Sequence, residues 1–264
     1  MILSPHLDDA VLSCWQLLAG PGEVRVINVF DGSPPPGTPP PWWDTITGAT
    51  DPRERLLERR EEDRAALGGI GRSALGLGLL DAQYRDEEVP VSMLVARLGE
   101  HVRAGTTVCA PAAIHAHEDH RLVRAAAIEL ARGGLPLVLY ADLPHAIRHG
   151  WPGWVSGEPD PLAAAQDWTA ALEQAGLAVE RLVPRVRPLD AEARGRKLRA
   201  VGAYRTQRAG LDALAFAPLE VPGTLAYEVT WEVPRSALPS AGRPEALGEP
   251  VVSDPGGEAL DQPA

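Results

Sequence analysis

His6, Asp8 and Asp9 fall within four residues of one another in the stretch Ser4-Pro5-His6-Leu7-Asp8-Asp9-Ala10. His6 and Asp9, three apart across a tight turn, can converge on one hard or borderline cation and leave the Asp8 carboxylate free beside it. An Asp pair ahead of a helical pattern more often only caps the helix and favours its positive end, so the stretch needs a partner before it carries chemistry. That partner is the cluster His115, His117, Glu118, Asp119, His120. His6 and Asp9 from one turn with His120 from the other make a two-histidine, one-carboxylate set. This is a common way to hold catalytic zinc while leaving a position open for water. Taken singly, His115, His145 and His149 read as ordinary solvated or packing side chains.

Both clusters are delivered in the same way. Met1-Ile2-Leu3 is an apolar run leading into the first, and Ala10 to Leu18 is a helical pattern leading out. Thr106 to Ala110 is a short strand before the second, and a helix with Leu122, Val123, Ala126, Ala127 and Leu130 follows it. Strand, polar cluster, helix therefore occurs twice. In a parallel sheet both clusters land on the carboxyl edge, where open α/β sheets place their ligands.

Between and after them the pattern keeps alternating. Glu23 to Phe30 reads as a buried strand, residues 34 to 41 hold six prolines, and Trp42-Trp43 follow in a long excursion. Asp51-Pro52 opens a charged helix running to Gly68-Gly69, Ala74 to Leu80 fits a strand, and Val91 to Val102 an amphipathic helix. Leu135 to Tyr140 is a further strand, followed by a Pro/Trp/Gly-rich loop from Asp142 to Pro161 carrying Trp151 and Trp154. A helix over Leu162 to Gln174, a strand over Leu182 to Val186, a helix over Lys197 to Tyr204 and a half-exposed edge strand over Tyr227 to Val233 complete the body. The alternation predicts a single-domain, Rossmann-like α/β fold, with a mainly parallel sheet and helices on both faces. The body spans 1–235. From Ser236 on, five Pro and four Gly with five acids against Arg243 describe a disordered acidic tail, 236–264.

At this point the residues resemble a known family. Ser-Pro-His6-Leu-Asp8-Asp9-Ala with His117-Glu-Asp119-His120-Arg-Leu-Val is similar to the two signature motifs of the PIG-L/LmbE-like deacetylases. These are zinc enzymes that remove acetyl groups from N-acetylglucosamine-type substrates. Arg59 to Ala66, Tyr140-Ala-Asp142-Leu-Pro144 and Tyr204-Arg-Thr-Gln207 resemble further family segments in order and approximate spacing, so the likeness covers roughly 1 to 235.

The resemblance implies metal ligation by His6, Asp9 and His120, with zinc the expected ion and ferrous iron the alternative. It implies Asp8 as general base toward the attacking water. It also implies His117, held by Asp119, as oxyanion donor or acid toward the departing amine. Amide hydrolysis needs these parts: a Lewis acid, a base within hydrogen-bond reach and a donor aimed at the developing charge. Leu7 stands where many members carry Pro and Ala10 where many carry Glu, which leaves the ligands intact and the substrate open. Arg59 precedes Glu62 by three residues on one helix face, and the resemblance places Arg59 at the sugar or its anionic substituent; a solvated ion pair is the competing reading. Trp42 and Trp43, like Trp151 and Trp154, could stack on a sugar ring or pin their loops.

The formal net charge of −11 and pI near 5.1 argue against a phosphate backbone or an anionic membrane as the main partner, while leaving room for a local basic patch. A small-molecule amino-sugar or glycoconjugate substrate is the expected partner; oligomeric state is not legible. Cys14 and Cys109 lie in apolar runs and read as reduced, buried thiols, and with no signal segment or membrane span the cytoplasm is the expected compartment. The opening strand is so short that a truncated start is expected. A metal hydrolase of another amide or ester, and a sugar-binding homologue without turnover, are the competing functions. The intact Asp8 and His117 argue against the second.

Overall fold

The computed structural model describes residues 1–115, 117–158, 167–215, 217–221 and 223–240. A seven-stranded sheet runs in the order β3-β2-β1-β4-β5-β7-β6. β1 (Ile2–Ser4), β2 (Val26–Asn28), β3 (Ala74–Gly76), β4 (Val108–Pro111) and β5 (Leu137–Tyr140) are mutually parallel, while β7 (Tyr227–Val233) is antiparallel to both β5 and β6 (Val183–Pro188). The mainly parallel α/β expectation holds. β1 and β4 are neighbours, so the two polar clusters that follow them emerge side by side on one sheet edge.

Two expectations need correction. β7 is not an edge strand: β6 covers its outer side, which buries Val229, Trp231 and Val233, and the edge is the exposed, proline-bounded β6. The body also runs past 235. The guanidinium of Arg132 donates to the carbonyls of Pro239 and Ser240, so those residues pack on the body; the rest of the expected tail, 241–264, lies outside the described residues, as does 162–166 of the expected helix.

α1 (Asp9–Ser13) and α2 (Trp15–Ala19) replace one continuous helix, parted at Cys14. α3 (Trp42–Ile46) lies within the proline-rich excursion. α4 (Pro52–Gly68) starts as expected, with the Asp51 carboxylate accepting from the Arg53 and Glu54 amides. α5 (Val91–Gly99) packs on α6 (Glu118–Arg132), and α6 on β4 and β5. α7 (Gly153–Ser156) and α8 (Ala170–Gln174) follow. α9 (Ala191–Val201) contacts α1 and α4, and α10 (Arg208–Leu214) contacts α3. No helix among the described residues is long and apolar enough to cross a membrane.

The apolar core fills the spaces between these elements, and each fully buried Leu or Ile stabilises by about 1.5–3 kcal/mol. One charge pair is embedded in it. Lys197 Nζ donates to Glu228 Oε1 at 2.8 Å with both side chains buried, and the same carboxylate accepts from the Trp15 and Gln16 amides at the start of α2. Removing one member strands the other charge, so Lys197→Met is expected to cost about 3–5 kcal/mol in urea denaturation. A loss under 1 kcal/mol would show the pair to be dispensable.

Candidate active site

The opening turn is closed by Ser4 and Asp9, and not by Asp8. Ser4 Oγ donates to the His6 carbonyl (2.6 Å) and accepts from the Ala10 amide (3.0 Å), while Asp9 Oδ2 accepts from the His6 amide (2.8 Å). Asp8 stands at the N-cap of α1 but makes no capping hydrogen bond. The commonplace use of an Asp before a helix is thus set aside, and the Asp8 carboxylate remains at the cavity wall. Burial and the adjacent Asp9 charge push it up to about 6, against the pull of Arg59 and His6.

The second cluster sits at the start of α6. His120 is fully buried and neither ring nitrogen has a hydrogen-bond partner among the described residues. Its Nε2 lies 3.5 Å from Asp9 Oδ2, and His6 Nδ1 lies 3.6 Å from the same oxygen. Two donors each about 2.1 Å from a tetrahedral ion stand about 3.4 Å apart, so these separations are those of ligands around one cation rather than of hydrogen-bonded partners. Burial holds the His120 imidazole neutral, the state a metal ligand needs. The three residues present fit a divalent cation, with His6, Asp9 and His120 as the set that would hold it. His6, His117 and Asp119 form a second close set, but the Asp119 oxygens are already engaged.

Asp119 departs from its expected role. Its Oδ2 accepts from His6 Nε2 (3.0 Å) and the Ala82 amide (3.0 Å), and its Oδ1 faces Arg85 (2.6 Å). Burial opposes its charge, yet the His6 hydrogen bond and the His6, His117 and Arg85 charges hold its carboxyl below the usual range. It orients the His6 ring from behind, leaving Nδ1 toward Asp9. Only its backbone amide serves His117, donating to Nδ1 at 3.3 Å. The reason is positional: the first turn of α6 aims the Asp119 side chain at His6, in the turn after β1, and not back at the N-cap.

Arg59 is buried, with Nη1 3.8 Å from Asp81, and lines the cavity with Asp8. The competing reading fails for it, since Glu62 instead accepts from the Thr206 amide and hydroxyl. A cavity of about 600 Å³ opens over the site. Its apolar wall is made by α3 and α10 through Trp42, Trp43, Leu211 and Leu214. Trp42 is 58 % exposed; Trp43 is fixed by a 2.7 Å hydrogen bond from Nε1 to Gln207 Oε1. A Cβ on Gly210 would stand 2.5 Å from the Trp43 ring. Gly210→Ala is therefore expected to displace Trp43 and raise the substrate KM about three- to tenfold while far-UV circular dichroism stays unchanged; an unaltered KM would remove Trp43 from the binding wall. Trp151 pins its own loop, donating to the Gly223 carbonyl, and Trp154 packs edge-on against Trp168.

Comparison with known proteins now adds to this geometry. The family profile described as PIG-L, GlcNAc-PI de-N-acetylase, matches residues 1–131. The solved structure of the A40926 pseudoaglycone deacetylase Dbv21 is 33% identical over 89% of this chain and 96% of that one, with a TM-score of 0.62. This chain belongs to the PIG-L family. The zinc-inhibited form of teicoplanin deacetylase Orf2 is 28% identical over 88% of this chain and 97% of that one, with a TM-score of 0.65. The 2'-N-acetylparomamine deacetylase of Streptomyces fradiae is 35% identical over 168 residues, 55% of this chain; the match spans 57% of that relative's length.

Within this PIG-L site the sequence reading missed three positions. His145, read as an ordinary loop residue, has its ring 5.3 Å from that of His120 and 5.8 Å from that of His117. Asp142 was noted only as part of a strand end. Its carboxylate accepts from the Ala113 and Ile114 amides (2.7 and 3.0 Å), and holds Ala113 at a φ of 53° that non-glycine residues seldom adopt. Asp81, in a stretch without pattern, lies 3.7 Å from His6 Nε2. Only pairing between separate segments of the chain could have exposed these, and periodicity does not report it.

Asp63 marks the outer limit of the site. It accepts from Asn28 Nδ2 and the Tyr204 hydroxyl (both 2.8 Å), and burial pushes its carboxyl up to about 7. A raised carboxyl favours the fold at low pH, and that support is lost as pH climbs from about 4 to 7. Asp63→Asn is therefore expected to gain on the parent chain by about 2–3 kcal/mol between pH 5 and pH 8 in denaturant titrations. A gap independent of pH would contradict this.

Proposed function

We propose that this protein hydrolyses the acetamide of an N-acetylated amino-sugar conjugate, with zinc held by His6, Asp9 and His120. The observation that carries the reading is His120: a buried imidazole whose two nitrogens have no hydrogen-bond partner among the described residues, 3.5 Å from Asp9, which lines the cavity together with an Asp8 that makes no capping bond. The relatives reported above are deacetylases, which supports the bond class. A divalent cation there supplies a Lewis acid that acidifies water and polarises the amide carbonyl.

The chain's own residues do the rest. Asp8, with its carboxyl raised to about 6, accepts the proton of the attacking water and returns it to the departing nitrogen as the C–N bond breaks. His117 Nδ1 accepts from the Asp119 amide, so the ring proton sits on Nε2. That N–H is the donor to the developing oxyanion. Burial and the His6 charge hold His117 below its ordinary pKa, which suits a neutral donor. Arg59 and the Trp42–Trp43 wall orient the sugar. Acetate release from a panel of N-acetylglucosamine conjugates by zinc-loaded protein tests the reading, and silence across the panel would end it.

A further inference from the structure

A second cavity, of about 470 Å³, lies against the amino-terminal ends of β1 and β4, and among the described residues it shares no lining residue with the active-site cavity. Its lining includes Cys14 and Cys109, the two cysteines of the chain. Both are buried, and their Sγ atoms stand 3.9 Å apart although 95 residues separate them in sequence. The fold holds them there from both sides. Pairing of β1 with β4 sets Cys109 opposite Ile2, and its amide donates to the Met1 carbonyl at 2.8 Å. Cys14 is the break between α1 and α2. The Glu228 carboxylate, fixed by Lys197, accepts the Trp15 and Gln16 amides, so α2 starts afresh and the Cys14 side chain faces β4.

Two thiolates each about 2.3 Å from one ion, at an angle of about 110–120°, stand about 3.8–4.0 Å apart. The two sulfurs already have that separation. Burial and the contact with Cys109 push the Cys14 thiol well up, so an oxidant meets a thiol and not the reactive thiolate. A soft cation, by contrast, displaces the proton itself. Soft sulfur donors select cuprous ion, whereas the imidazole and carboxylate set of the active site suits a borderline divalent ion.

We propose that Cys14 and Cys109 form a second metal site, which takes cuprous ion through this cavity. Two S–H bonds are replaced by two S–Cu bonds, two protons leave to solvent, and no electron is transferred. A bound ion ties the end of α1, the helix that begins with Asp9, to β4, the strand that leads to His117 and His120. The site stands independently of the deacetylase reading.

Anaerobic titration of zinc-loaded, reduced protein with cuprous ion in a chelator buffer tests it. The parent is expected to take up one further equivalent, keep its zinc, and develop a near-ultraviolet sulfur-to-metal charge-transfer band. Cys14→Ala and Cys109→Ala should each weaken that uptake by about 10²-fold and lose the band. No further equivalent in the parent, or a single-cysteine variant that keeps the parent's affinity, would overturn the site. Should both variants fail to fold by circular dichroism, copper X-ray absorption of the loaded parent decides. Sulfur neighbours at about 2.3 Å sustain the site, and a shell of nitrogen and oxygen alone overturns it.

Discussion

Asp8→Asn is expected to keep its full metal content while acetate release falls by about 10²–10⁴-fold, the usual worth of a positioned general base. The substitution is nearly isosteric and touches no capping bond, because Ser4 Oγ and not Asp8 receives the Ala10 amide. It leaves His6, Asp9 and His120 in place. Folding and metal binding therefore serve as internal controls, read by thermal denaturation and by metal analysis of the purified protein. Activity within threefold of the parent would move the base elsewhere, with the metal assignment untouched.

His120→Ala is expected to do the converse and more. It removes one of three donors and opens a buried space beside Asp9 and Asp142, so bound metal should fall well below one equivalent and acetate release below about one part in 10³. Since His120 is fully buried, part of the loss will be structural, at roughly 1–3 kcal/mol. His120→Gln separates the effects, filling most of the volume with a poor ligand. If either variant retained one equivalent of tightly held zinc, the ligand set would have to be redrawn, with His6, His117 and Asp119 the remaining close set.

How much of this was legible beforehand follows the distance over which each signal acts. The two motifs could be read because their residues are neighbours in sequence, and because strand–cluster–helix recurs at β1–α1 and β4–α6. The parallel sheet then brings β1 beside β4 without further information. What could not be read depends on contacts between distant segments. Tyr227 to Val233 alternates like an edge strand, and nothing local announces that β6 will cover it. α10 has no counterpart among the expected elements, and its close approach to Trp43 of α3 requires the absence of a side chain at Gly210. Asp119 was assigned to its sequence neighbour His117, whereas the fold gives its carboxylate to a histidine 113 residues away. His145 looked unremarkable because its partners, His117 and His120, belong to another loop.

The Asp119 carboxylate has a consequence beyond orienting a ligand. It ties His6 to the short turn Ala82–Tyr84 through the Ala82 amide, and Tyr84 in turn donates to Asp44 on α3 at 2.7 Å. Hydrogen bonds joined through the backbone of this turn thus connect His6, proposed above to hold the metal, with α3 and its aromatic wall. Such a connection is a route for coupling between the two binding events, and by linkage the coupling is reciprocal: whatever factor a seated sugar adds to ion affinity, a seated ion adds to sugar affinity. Metal affinity measured by equilibrium competition with a chelator, with and without a non-hydrolysable glycoside, reads that factor. Tyr84→Phe, which cuts this connection at its midpoint, should bring it toward one.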